Sequence, residues 1–561
     1  MVPLVALLVV LCGSLFAADY PVPEPRPAHT DIQVGAYVFP GWSAGRGDSY
    51  GEWKLIAKFA HPRPILGFYD DSLPEVADWH INWALEAGIS WFAFDWYWNS
   101  GEKHLHEALE SGFLNARYNE QIKFAIHWCN HDVGGWAPVD NSAAGIETML
   151  RYCADNYFTR SNYLKIGDRP VFMIWNIDTV LAANGGPQGF KTDLLPRLNA
   201  ICHDKGLGDL FVVLVHNAPE RVRDTPVGDA FTGYSYAALT TQTVFSRPGS
   251  APYSELVEAL PDHWRRLHSG PKPFITSTQS GWDDLPRTLG WGNDTRWART
   301  DNTAELFEQT LRDGRAQVKP DLPLFIIEAW NEWGEGSFIE PSKEFGFGHL
   351  DAIRRVFAPD AGPNDWARPT PEQVDSYSIL QGETLAAARA RELQPDPAPT
   401  VVERKMDLTA DPETLPGEVV AEWRFDNEET AQAIQPRMHV EFQGIRDGRA
   451  VFKINGGDPQ MWFEGGWPQA GNKVAVAFRV RSPQANWRWA ELFWAGDGQT
   501  FVGERGHKHD WKADGEPHTY VLSFRPGHEP HGFLGAFRID PPWGTDYEIE
   551  LEWIKVLRLG E

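Results

Sequence analysis

Cysteine, methionine and positive charge are all scarce in this chain of 561 residues, which has 4 Cys, 6 Met and 51 Lys plus Arg against 77 Asp plus Glu, for a net charge of −26. A surface of that sign repels phosphate backbones and anionic membranes, so nucleic acid is excluded as a natural partner and a highly anionic polysaccharide is disfavoured. Beyond the N-terminal apolar run only Cys129, Cys153 and Cys202 remain, with no CxxC spacing. They make neither a disulfide framework nor a zinc site, and at most one bridge forms. After Phe16 no segment is apolar for long enough to cross a membrane, and no short-period repeat occurs. No GxGxxG or P-loop pattern follows any strand candidate, which removes the common nucleotide sites.

Basic residues are also missing ahead of Arg26. Residues 2–16 are almost wholly apolar and run into Ala17-Ala18, so 1–18 reads as a signal peptide and the mature protein as secreted or periplasmic. Without an N-terminal Lys or Arg, an uncleaved anchor is the alternative.

Aromatic residues, by contrast, are plentiful: 26 Trp, 31 Phe and 15 Tyr. Indole rings stack on the apolar faces of pyranose sugars, which suits a sugar-binding cleft; a Trp-rich core is the plainer alternative. The chain is too long for one core. Apolar runs at 33–39, 89–98, 123–128, 171–175, 210–216, 231–236, 274–278 and 324–330 are continuous rather than alternating. Helical stretches are expected at 74–87 (with a Gly88 stop), 190–205, 253–268 and 303–317. Continuous strands interleaved with helices are buried on both faces, which predicts a (β/α)8 TIM barrel over 19–387, with a doubly wound open sheet as its competitor. A Pro-rich stretch marks a linker over 388–418. Short alternating runs between Gly, Pro and Asp then predict an all-β jelly-roll or β-sandwich domain over 419–561.

Residues just past the strands of a barrel gather at one mouth. In this chain they are Tyr37; Asp95, Trp96 and Trp98; His127, Asn130 and His131; Trp175; His216; Tyr234 and Tyr236; and Trp282. The first loop adds Glu52 and Trp53, with Tyr50 beside them. Aromatic faces ringed by hydrogen-bonding groups favour a polyol-binding mouth. The eighth strand carries Glu328, Asn331, Glu332, Trp333 and Glu335, then Glu340. Glycoside cleavage needs two carboxyl groups flanking one bond, and neighbouring indoles raise a carboxyl towards the range a general acid requires. A calcium loop is the alternative, although calcium ligands usually alternate with more Asp and Asn. Glu328, inside the strand run, reads as a buried structural acid.

The segments Gly35-Ala-Tyr-Val-Phe-Pro-Gly-Trp42, Trp91-Phe-Ala-Phe-Asp-Trp-Tyr-Trp98 and Glu328-Ala-Trp-Asn-Glu-Trp-Gly-Glu-Gly336, with Ile339-Glu-Pro341, resemble glycoside hydrolase family 99 and its WbsX-like relatives. The similarity runs from about Asp31 to Ala358. It implies a retaining glycoside hydrolase, endo-acting on α-mannose-like linkages, in which Glu332 is the base on the sugar 2-hydroxyl and Glu335 the acid/base. It also implies that Asn331 contacts the sugar and Trp333 lines the site. The family commonly carries His where this chain has Gly334. The second domain, rich in Trp (Trp462, Trp467, Trp487, Trp489, Trp494, Trp511, Trp543), is similar to carbohydrate-binding modules; a stabilising domain without ligand is the alternative. The expected partner is a polysaccharide or oligosaccharide, with no cofactor, no metal, no membrane span and a monomeric chain. A glycosyltransferase or transglycosylase, and a non-catalytic polysaccharide-binding protein, are the rival functions.

Overall fold

Each barrel strand is apolar along both faces because both faces are covered, and the computed structural model of the chain shows by what. The structure describes residues 20–43, 53–133, 136–237, 239, 249–291, 296–397, 399, 415, 417–431, 434–456, 459–470, 474–483, 489–496, 506–524, 534–542 and 544–559. The expected signal peptide, Tyr50, Glu52, Trp487 and Trp543 lie outside the described residues. Two compact units are present, one of Met1–Thr240 with Ser250–Pro399 and the other of Thr241–Gly249 with Thr400–Glu561.

In the first unit the strands are β1 (Gln33–Val38), β2 (Ile89–Asn99), β3 (Lys123–Trp128), β4 (Arg169–Ile174), β5 (Phe211–His216), β6 (Ala230–Gly233), β7 (Phe274–Gln279) and β8 (Leu324–Glu328). Each pairs with the next in parallel, and β8 returns to β1. The ring is therefore a closed (β/α)8 barrel. Side chains alternate across it into two cores. Tyr37, Trp91, Ala93, Met173, Val213 and Ile326 fill the interior. Val34, Phe92, Phe94, Phe124, Phe172 and Phe325 pack outwards against the helices.

Helix α1 (Pro74–Ala87) starts on proline and stops at Gly88, whose φ of 97° suits a residue without Cβ. Ser142 caps α2 (Ala143–Cys153) by accepting from the Gly145 N–H. The stretch expected as one helix over 190–205 begins as a wider π-type turn, Phe190–Leu194, before α3 (Leu195–His203). Further helices include α4 (Tyr253–His268), the short α5 (Leu285–Thr288), α6 (Ala304–Arg315), α7 (Gly348–Phe357) and α8 (Gly382–Arg391). After β2 and β5 the crossovers carry only short helical turns, among them Ala108–Gly112 and Glu220–Arg223. Within the stretch expected as linker, Asp396 accepts the main-chain N–H groups of Ala60 and His61 at 2.7 and 2.8 Å.

The second unit holds a six-stranded and a five-stranded sheet with antiparallel pairing throughout. Phe452, Phe478 and Ile554 of one sheet and Phe463, Leu492 and Phe537 of the other share a core, as in a β-sandwich. Trp467, Trp494 and Trp511 are buried in that core, so these indoles serve packing. Cys129, Cys153 and Cys202 are free and buried. Among the described residues no helix is long and apolar enough to cross a membrane.

Candidate active site

The motif after β8 turns back on itself. Asn331–Glu332 (β9) pairs antiparallel with Ser337–Phe338 (β10), and the Glu335 N–H donates to the Glu332 carbonyl at 3.1 Å. This turn brings the Glu332 and Glu335 carboxyl groups to one guanidinium. Arg287 on α5 donates through Nη2 to Glu332 Oε2 at 3.1 Å and through Nη1 to Glu335 Oε1. Its guanidinium carbon lies 5.3 Å from the centre of the Phe39 ring, a cation–π contact. Tyr234 then links Glu332 to the barrel interior: its hydroxyl lies 2.8 Å from Asp95 Oδ2 and 3.2 Å from Glu332 Oε1. Asp95 Oδ1 is in turn 2.7 Å from His127 Nδ1. Tyr37 packs against Tyr234 and His127 with ring centres 4.6 and 5.3 Å away. Among the described residues, His127 Nε2 is buried and has no hydrogen-bond partner.

Electrostatics follow from this crowding. Burial pushes both Glu332 and Glu335 above the usual carboxylate range, Arg287 pulls both down, and the charge of Asp95 adds to the rise. Glu328 is pushed well above its usual range by burial and then by Glu335. One guanidinium thus faces several buried carboxyl groups, a crowding that favours their protonated forms. A site that keeps one carboxyl protonated beside one ionised can both donate and accept a proton. Asp284, behind α5, is raised to about 7, mainly by burial.

Of the sequence-predicted residues, the structure brings together Glu332, Glu335, Asp95, His127, Tyr37 and Tyr234. Trp175 joins them, edge-on to Tyr234 at 5.4 Å and parallel to His216 at 6.3 Å. His131 lies 6.5 Å from Trp175, and burial lowers both His131 and His216, favouring neutral rings.

The remaining predicted residues are placed elsewhere. Trp96 and Trp98 stack on each other and on Tyr152 outside the barrel, because they alternate with the inward Asp95. Trp53 packs on Trp42 with ring centres 4.3 Å apart and donates to the Tyr69 carbonyl. Trp333 is buried against Phe338 and donates to Tyr69 Oη and Glu340 Oε2, both at 3.2 Å. Asn331 Oδ1 accepts from the Phe39 N–H at 2.8 Å and its carbonyl from Trp42 Nε1 at 3.2 Å, so it braces the motif against the chain after β1. Asn130 clips the loop after β3 to the loop after β4, accepting from the Asn176 N–H at 2.7 Å and donating to its carbonyl at 2.8 Å. Tyr236 turns towards α4, bonded to Ser277 and edge-on to His263. Trp282 is buried, with its carbonyl taken by the Arg299 N–H at 2.8 Å. Glu328 accepts from Ser337 Oγ at 2.8 Å, and Glu340 accepts from Tyr69 Oη at 2.7 Å.

Tyr97, in the same strand-end run, is inward by the alternation that turns Trp96 outward, and it senses Glu332 and Arg287. Arg287 escaped the sequence reading, since it sits outside every motif. Among the described residues, Asp95, His127 and Cys129 offer metal-ligand atoms within 4.8 Å of one another. However, His127 Nδ1 is occupied by Asp95, and burial keeps the Cys129 thiol protonated. The trio reads as the hydrogen-bonded floor of the mouth.

Residues 47–353 match the model of a family described as glycosyltransferase WbsX. Two curated relatives, the uncharacterized protein WxcX from two strains of Xanthomonas campestris pv. campestris, are 26% identical over 60% of this chain. The chain covers 51% of their length. Among solved structures, a GH99 endo-α-mannosidase from Bacteroides thetaiotaomicron matches 59% of this chain and 97% of its own, at 17% identity and a TM-score of 0.41. A low-affinity xylan-binding module from Roseburia intestinalis matches 25% of this chain and 95% of its own, at 11% identity and a TM-score of 0.18.

Proposed function

The chain belongs to the WbsX family, and from that premise we propose that it is a carbohydrate-active enzyme that cleaves glycosidic bonds with retention at the Glu332/Glu335 pair. The single observation that carries this reading is the convergence of both carboxyl groups on Arg287 at the barrel mouth, beside Tyr234 and a buried, unpartnered His127 nitrogen. In the proposed sequence Glu332 takes the proton of the sugar 2-hydroxyl, and O2 attacks C1. Glu335 gives its proton to the departing glycosidic oxygen, leaving a 1,2-anhydro sugar. Water then opens that ring at C1, giving its proton to Glu335, while Glu332 returns a proton to O2. The roles come from the resemblance of the motif; the burial that raises Glu335 suits the acid step, whereas Glu332, raised to about 8, must lose its proton before it acts as base. Endo action on α-mannose-like linkages of a polysaccharide is part of the same proposal.

The family's description favours a second reading, in which a sugar hydroxyl replaces water as acceptor. One experiment separates them: α-mannans, rhamnans and fucans are incubated with the protein, with and without added oligosaccharide acceptors, and products are resolved by size and reducing-end sugar. Shorter fragments with new reducing ends support hydrolysis; elongated acceptors support transfer. A 2-deoxy or 2-O-methyl substrate resists in both cases, and its ready cleavage contradicts the 2-hydroxyl step.

A further inference from the structure

Arg287 reaches the mouth from α5, a short turn held against the motif by the main chain, since the Asp283 N–H donates to the Glu335 carbonyl at 2.6 Å. Asp283 is itself fixed by Arg296, with contacts of 2.9 and 2.6 Å. The space Arg287 occupies exists because residue 334 lacks a side chain. A Cβ there would stand 2.8 Å from Arg287 Nε and 3.3 Å from its Cγ, closer than carbon and nitrogen pack. Since Nε belongs to a flexible side chain, the arginine would be the group to yield.

We infer that Arg287 is the positioning residue of the carboxyl pair, clamping Glu332 and Glu335 in one plane of hydrogen bonds, and that Gly334 is what admits it. The inference rests on the reading of Glu332 and Glu335 as the reacting pair. A planar guanidinium with two parallel donors fixes the orientation of two carboxyl groups in a way that an ammonium does not. The clamp also sets charge. The groups facing it are Asp95 and Tyr97 from β2, Tyr234 after β6, Glu328 on β8 and Asp284 before α5. His127 and Cys129 from β3 stand behind Asp95. After burial, Asp95 pushes both Glu332 and Glu335 upward, the Tyr234 hydrogen bond lowers Glu332, and Arg287 is the cation that opposes the rise of both. The sign is fixed: a base must be ionised, so activity is lost as pH falls through its pKa. Without Arg287 that pKa rises, and the acidic limb of the pH profile moves to higher pH by about 1–3 units, the usual effect of a close opposite charge.

The test uses the full chain labelled with ¹³C at the Glu carboxyl carbons and titrated by NMR, with Glu332→Gln and Glu335→Gln assigning the two signals. In parallel, the pH profile of α-mannan cleavage is recorded. Arg287→Met should raise both titrations and shift the acidic limb with them, and Arg287→Lys should restore part of the shift. Gly334→Ala should move both in the same direction as Arg287→Met. The double variant Arg287→Met/Gly334→Ala should shift no further than Arg287→Met alone, because both act through one group. Arg287→Lys and Gly334→Ala keep the test decisive where the methionine variant folds poorly. Unchanged titrations, or a slower rate with an unmoved limb, overturn the clamp and leave the enzymatic reading standing. Shifted titrations in a protein that cleaves nothing sustain the clamp and overturn the enzymatic reading.

Discussion

Tyr234 holds one hydroxyl proton between two carboxyl groups, Asp95 at 2.8 Å and Glu332 at 3.2 Å. Whichever it serves, the other relies on His127 or Arg287. Tyr234→Phe removes the donor and keeps the ring stacked on Tyr37. A hydrogen bond to a charged group is worth about 1.5–3 kcal/mol, so kcat/KM on α-mannan should fall by about 10–100-fold with an unchanged melting transition. A fall in stability without a change in kcat/KM contradicts the placement. Trp96 makes the opposite case. It is buried outside the barrel among Trp98, Tyr152 and Tyr157. Trp96→Ala should cost about 3–5 kcal/mol by denaturant titration while KM of the folded fraction stays put. The run Asp95-Trp96-Tyr97-Trp98 was legible as a strand end at the mouth, but not which members point inward. That depends on parity, and parity is settled once Trp91 and Ala93 are known to face inside. Arg287 left no sequence signal of its own, lying 45 residues before Glu332 on a four-residue turn; Gly334 was the one hint.

At the scale of elements, strand positions were readable because both faces of each barrel strand are apolar. The crossovers after β2 and β5 were less so, since short turns and long loops carry no 3.6-residue period. In the second unit the strands Gln435–Met438, Val440–Arg446, Gln460–Trp467, Gly506–Asp510 and Leu534–Asp540 were missed, inner and edge alike. Gly465-Gly466 and Gly535 interrupt the alternation of the two inner ones. Loops at the mouth obtain their order from side chains such as Asn130. Asn130→Ala strands the Asn176 N–H, while the Asn176 carbonyl keeps Thr179 Oγ1 at 3.0 Å. The loss should be about 1–3 kcal/mol for the unsatisfied N–H, with KM rising as the loop bearing Trp175 loosens. A variant as stable as wild type shows that water replaces the amide.

For the whole molecule, the two units have separate hydrophobic cores. Each core closes on residues of its own unit, so a fragment ending at Pro399 should unfold cooperatively and cleave short oligosaccharides with the kcat of the full chain. Aggregation of that fragment, or loss of activity on short substrates, contradicts independent folding. The net charge of −26 concentrates the question on the mouth, where Arg287 stands among carboxyl groups in an already acidic protein.

The central claim is that Glu335 moves a proton to the leaving oxygen, and Glu335→Gln tests it most directly when kinetics are compared on two substrates with the same sugar, one with a poor alkyl or sugar leaving group and one with an activated aryl group. Acid–base assistance is worth about 10²–10⁴-fold, so turnover of the poor leaving group should fall by that order while the aryl substrate loses far less. Equal losses on both substrates, or wild-type rates on either, would contradict the assignment of Glu335 as the proton donor.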